Sequence, residues 1–187
     1  MLYAGSGDGC LTSYNMNMRQ YHITSESLED DILSTLVLED GQSILCGTTS
    51  GKISLFSRRN LWESSDSFVL EFGSIDFLLF IDDKKFLAAS SNGEIHLLKV
   101  DPKRLISKFA EHDIEQPISK LSLSNDGKFI SSCGDDVVKF WDSSFLFGVE
   151  DTSEEDNEEE AEEKPPKKKK IKSNSARNKF FYGFQDS

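Results

Sequence analysis

Residues 2–14, 44–56, 86–98 and 129–141 align with one another without gaps, their starts 42, 42 and 43 residues apart. A repeat of that length constrains the fold more than any other feature, because one unit cannot bury its own apolar face and must stack on its neighbours. Each copy runs from apolar residues through small ones into a tight turn, then out along a second alternating run. Gly9, Gly51 and Gly93 hold the turn in three copies, where a residue free to take positive φ is wanted. Asp136 holds it in the last, and Asp is among the few other residues that enter that region readily. Past the turn, Leu11, Ile53, Ile95 and Val138 share one position, and Tyr14, Phe56, Leu98 and Trp141 share another three residues on. The odd spacing puts the two positions on opposite faces of a strand and predicts sheets packed on both sides.

Further strand candidates flank each copy. Residues 32–38, 75–81 and 118–123 lie upstream, the last in strict alternation, and residues 20–23, 68–72 and 105–109 supply a fourth run. Turn-forming residues 39–41, 81–83 and 125–127 follow the upstream runs. Four strands per unit with almost no helical periodicity describe the blade of a β-propeller. The predicted fold is therefore all-β, a partial propeller of about three and a half blades over residues 1–147. Residues 148–187 form a separate tail, expected to be disordered.

Charge narrows the function classes. With 21 Lys and Arg against 33 Asp and Glu, the chain carries a formal net charge of -12. Eight basic and eleven acidic residues fall in 150–187, which leaves -9 on the first 149 residues and no basic footprint for gripping phosphates. Cys10, Cys46 and Cys133 are odd in number and far apart, so they read as small buried residues rather than a disulfide framework or zinc site. No apolar run is long enough to span a membrane, and the N-terminus lacks a secretory pattern. The run Gly5-Ser6-Gly7-Asp8-Gly9 superficially resembles a phosphate loop, but it aligns with a strand-to-strand turn and no helix follows. His22, His96 and His112 are the near-neutral bases, and His96, between Ile95 and Leu97, reads as a packed or rim side chain. No catalytic motif accompanies them, so a non-enzymatic protein without cofactor or metal is expected.

At Trp141-Asp142 the repeat resembles the WD-repeat family. That resemblance implies a buried hydrogen-bonded tetrad in the last blade: His112, Asp135 and Trp141, with Cys133 standing where a Ser or Thr is usual. The other copies depart further, with Asp8, Ser50 and Asn92 at the Asp position. Taken with Ala4–Gly9, Cys46–Ile53, Ser74-Ile75-Asp76, Lys139-Phe140-Trp141-Asp142 and a charged tail ending in aromatics, the order of features is similar to the C-terminal half of the WD repeat-containing protein 55 family. The resemblance implies a scaffold supporting ribosomal RNA production or processing in the nucleolus, with proteins of a pre-ribosomal complex as partners. It also implies further blades upstream, so the chain is expected to be a fragment or an incomplete gene product whose open ring associates. An adaptor or substrate receptor of another nuclear complex, a ubiquitin ligase or a chromatin assembly, is the competing reading.

The tail carries its own candidates. Ten of the fourteen residues in 150–163 are acidic, and Lys164-Pro165-Pro166 leads into Lys167, Lys168, Lys169, Lys170 and Lys172. Clustered lysines after prolines suit the acidic groove of a nuclear import receptor; a solvated counter-run and weak RNA contact are the alternatives. Thr152 and Ser153 each precede an acidic residue at plus three, a weak phosphorylation pattern. Phe180, Phe181 and Phe184, with Tyr182 between, read as a linear docking motif; a segment that folds back on the chain's own blades and an ordinary untethered tail are the alternatives.

Overall fold

A computed structural model of the chain describes residues 1–71, 73–82, 84–112 and 116–147. These form fourteen strands in four antiparallel sheets, each an up-and-down meander, with no helix among the described residues. The first sheet holds β1 (Leu2–Gly5), β2 (Leu11–Asn15) and β3 (Gln20–Thr24). The second holds β4 (Ile32–Val37), β5 (Ser43–Thr48), β6 (Lys52–Ser57) and β7 (Asp66–Val69). The third holds β8 (Ile75–Phe80), β9 (Lys85–Ser90), β10 (Glu94–Lys99) and β11 (Arg104–Glu111). The fourth holds β12 (Lys120–Leu123), β13 (Phe129–Cys133) and β14 (Val138–Asp142). The all-β, blade-by-blade architecture read from the repeat is the one observed, with small shifts at strand ends. β12 starts at Lys120, beyond Ile118, and β11 runs on to Glu111.

Apolar burial lies between sheets. Leu11 and Tyr3 of the first sheet meet Ile44, Cys46 and Phe56 of the second. Leu45, Ile53 and Phe68 of the second meet Ile75, Phe86 and Leu98 of the third. Leu87, Ile95 and Leu97 of the third meet Leu121, Ile130 and Trp141 of the fourth. Each fully buried aliphatic or aromatic side chain here contributes about 1.5–3 kcal/mol relative to exposure. The cysteines are unpaired, and burial pushes the Cys46 thiol up to about 12, despite a hydrogen bond from Thr35 that pulls the other way.

The paired positions do fall on opposite faces, but both are covered only in the middle sheets. Ile53 with Phe56 and Ile95 with Leu98 are buried. In the first sheet Leu11 is buried and Tyr14 exposed, and in the fourth Trp141 is half-buried and Val138 exposed. Among the described residues each end sheet packs against one other sheet, which leaves its second face uncovered by them.

The last hairpin departs from its aligned copies. Gly5 pairs with Leu11, Gly47 with Ile53 and Ala89 with Ile95, with five residues between them in each case, whereas Cys133 pairs with Val138 across four. Gly9, Gly51 and Gly93 take φ of 79°, 83° and 82°, and each donates its N–H to the carbonyl three residues back. The shorter turn is closed instead by Gly134 N–H donating to Val137 O at 2.9 Å, and Asp136 does not take positive φ. The gapless alignment is thus corrected by one residue on the strand before the turn: Ser132, not Ser131, is equivalent to Ala88 and Cys46.

Candidate functional site

The loop that leaves each sheet crosses the turn of the same sheet and docks there through its backbone. Leu28, Leu70 and His112 donate their N–H groups to Gly9, Gly51 and Gly93 carbonyls at 3.0, 3.2 and 2.7 Å. Each donor lies nineteen residues after its glycine, a spacing visible in the sequence once the bond is known. Close approach demands glycine at this point. A Cβ on Gly51 would stand 2.7 Å from the Leu70 and Gly73 carbonyl oxygens. The first such turn spends its own N–H groups internally, with Gly9 N on Ser6 O at 3.1 Å and Cys10 N on the Asp8 carboxylate at 3.2 Å. Those donors are committed to the turn, in keeping with its reading as a strand connection.

In two of the three docked loops the side chain at this point is leucine. In the third it is His112, buried, whose Nε2 lies 2.6 Å from Ser132 Oγ in the next sheet. Trp141 Nε1 donates to the same oxygen at 2.8 Å. The indole N–H can only donate, so Ser132 must accept from it, and its second lone pair or its own proton serves the imidazole. The His112 and Trp141 rings are tilted at 49° with centroids 6.3 Å apart, and Lys139 Nζ sits 5.9 Å over the indole. Gly134 leaves room for the imidazole, since a Cβ there would approach His112 Nδ1 to 3.3 Å.

The structure therefore brings His112 and Trp141 together through Ser132 and leaves Asp135 out. Asp135 is exposed on the β13–β14 turn and has no side-chain hydrogen bond among the described residues. Shortening the turn by one residue rotates it away from the imidazole that its spacing suggested. Although Ser132 and His112 are a hydroxyl–imidazole pair, Ser132 is fully buried and already bound by Trp141, so no substrate carbonyl can reach it.

A second loop-to-turn latch escaped the sequence reading. Asp30, just before β4, accepts hydrogen bonds from the Thr49 and Ser50 hydroxyls and from Ser50 N–H at 3.2 Å. Burial pushes this carboxyl up, but the Ser50, Thr48 and Thr49 hydroxyls and the Ser50 amide outweigh it and hold the pKa at about 2. Here the turn donates and the loop accepts. The only hint was a Ser50 where an acid was sought. His96 is buried on β10 with Nε2 3.0 Å from Glu94 Oε2, and Lys108 reaches the other Glu94 oxygen at 3.1 Å. No grouping of three or more potential metal ligands occurs among the described residues. No helix among them is long and apolar enough to cross a membrane.

Because the strands alternate in direction, the glycine turns and docked loops share one end of the sheets. Exposed Asp8, Glu29, Asp31, Glu71, Glu111 and Asp135 gather there. The opposite end mixes Arg58, Lys84, Arg104 and Lys128 with Asp40, Asp82 and Asp126. A field of that sign at the turn end repels phosphate and attracts basic side chains. Lys167, Lys168, Lys169, Lys170, Lys172, Phe180, Phe181 and Phe184, with Thr152 and Ser153, lie outside the described residues.

Residues 103–142 match the family model described as WD domain, G-beta repeat. That span takes in all of β11 and of β12–β14, so one sequence repeat straddles two sheets, and His112 bridges to Trp141 across the junction. The chain is 33% identical over 147 residues to WD repeat-containing protein 55 of Bos taurus, covering 78% of this chain and 38% of that protein. It is 33% identical over 150 residues to the Homo sapiens protein of the same name, covering 80% and 39%. For the Arabidopsis thaliana one the identity is 36% over 142 residues, covering 75% and 40%. The matched part is about two fifths of the length of these relatives.

Proposed function

The chain belongs, over the part it spans, to the WD repeat-containing protein 55 family, and from that premise we propose that it is a non-enzymatic scaffold of ribosome biogenesis. In this reading it supports ribosomal RNA production or processing in the nucleolus. The likeness over 75% to 80% of the chain is the observation that carries the proposal. The turn end of the sheets, rich in carboxylates, favours protein partners with basic segments over direct contact with RNA. Lys167–Lys170 and Lys172 recruit an import receptor, and Phe180, Phe181 and Phe184 dock on a protein of the pre-ribosomal complex.

The test is depletion followed by pre-ribosomal RNA profiling, together with localisation of the tagged chain. Accumulated precursors and nucleolar signal are expected. Normal processing with cytoplasmic residence would reject the proposal and favour an adaptor of another complex. Replacing Lys167–Lys170 with Ala is expected to abolish nuclear accumulation, and unchanged accumulation would refute the import role.

A further inference from the structure

The loop from β3 to β4 carries a hydroxyl that the shared architecture does not call for. The residue before each docked N–H is Ser27, Val69 or Glu111, so docking proceeds without a hydroxyl in the second and third sheets. Ser27 adds one. Its Oγ donates to Asp8 O at 2.7 Å and accepts from Glu29 N–H at 3.1 Å. Glu29 sits at φ 57°, a left-handed backbone that an L side chain takes only under restraint. The hydroxyl thus ties a strained loop to the turn it crosses, 2.9 Å from where a Cβ of Gly9 would stand. Around it the sequence reads Glu26-Ser27-Leu28-Glu29-Asp30-Asp31, with acids at minus one, plus two, plus three and plus four. Glu26, Ser27, Glu29 and Asp31 are exposed. By contrast, Ser132 also precedes an acid at plus three, Asp135, yet is fully buried.

We propose that Ser27 is a phosphorylation site for an acid-directed protein kinase, and that the modification releases the β3–β4 loop from the Gly9 turn. A basic substrate groove complements carboxylates at that spacing. ATP is the donor: Ser27 Oγ bonds to the γ-phosphorus, the bond from that phosphorus to the bridging oxygen breaks with its electron pair leaving on ADP, and the hydroxyl proton passes to the kinase's base. The ester oxygen can no longer donate to Asp8. The new group brings a charge of about −1.5 to −2 into a loop and turn that already carry Asp8, Glu29, Asp30 and Asp31. The bond from Leu28 N–H to Gly9 O is the next in the same contact and opens with it. Release is bounded on both sides. Ser25 is buried, with Leu11 N–H donating to its Oγ at 2.9 Å, and Asp30 is latched to Thr49 and Ser50, so the segment that swings out is 26–29.

The experiment incubates the full chain with an acid-directed kinase, magnesium and ATP, maps phosphoserine by mass spectrometry, and then follows amide exchange in the loop. Phosphate on Ser27 is expected, and the double variant Glu29→Gln with Asp31→Asn should accept it severalfold more slowly while unfolding at the wild-type temperature. In the phosphorylated chain, exchange at Leu28 should quicken severalfold while β5 stays unchanged. Ser27→Ala, treated in the same way, controls for phosphate accepted at Thr152 or Ser153 and should leave Leu28 exchange unaltered by the kinase. A peptide of residues 22–34 separates recognition from access. If the peptide accepts phosphate and the folded chain does not, the fold conceals the hydroxyl and the inference is overturned. A peptide that is no substrate overturns it as well, and phosphate on Ser27 with unchanged exchange at Leu28 overturns the release.

Discussion

Ser132 sits where the other sheets have alanine or cysteine, and its hydroxyl turns a purely apolar contact between sheets into one with a hydrogen-bonded centre. Removing it strands a buried imidazole nitrogen and an indole N–H. Ser132→Ala is therefore expected to cost about 1–3 kcal/mol in urea denaturation at neutral pH. Trp141→Ala loses packing as well and is expected to cost about 2–4 kcal/mol. Asp135→Ala should stay within about 0.5 kcal/mol, because the exposed carboxylate touches neither partner. A wild-type melting curve for Trp141→Ala with altered binding would show that the cluster recognises rather than holds. Asp30 makes the parallel case for charge. Its pKa is depressed from 3.8 to about 2, so its contribution is fully present above the unfolded value and is lost as pH falls through the folded one. Between pH ~5 and ~2 the wild type should lose about 1–2 kcal/mol that Asp30→Asn does not lose, measured as the difference in their denaturation midpoints.

At the scale of the hairpin, glycine and aspartate at aligned turn positions serve different backbones. Gly51→Ala meets both a left-handed φ of 83° and two carbonyls at 2.7 Å, so it is expected to cost about 2–4 kcal/mol by chemical denaturation. Asp136→Gly should give no gain, since Asp136 carries no left-handed strain to relieve. This is also where legibility ended. The repeat length and the apolar positions of β2, β6, β10 and β14 marked out four sheets, because burial between sheets selects large apolar side chains at fixed spacing. A turn shortened by one residue leaves no such mark when the strand before it reads Phe129-Ile130-Ser131-Ser132-Cys133. Small side chains fit either face, and only the hydrogen-bond register distinguishes Ser132 from Cys133. The Asp30 latch was hidden for a related reason: its partners are loop and turn residues brought together by docking, and no periodicity in sequence reports on that.

Over the whole molecule, stability should follow the number of covered faces rather than strand length. β5, β6, β9 and β10 are interior strands of sheets with neighbours on both sides, and their apolar side chains are almost wholly buried. β2 and β13 are interior strands too, yet each belongs to a sheet open on one face, and β14 has a hydrogen-bonded neighbour on one side among the described residues. Opening an end sheet exposes one apolar interface, whereas opening a middle sheet exposes two. Amide hydrogen exchange in dilute solution is therefore expected to be slowest in β5, β6, β9 and β10 and fastest in β3 and β14. Uniform protection across all four sheets would show that the end sheets are held by something other than their apolar faces.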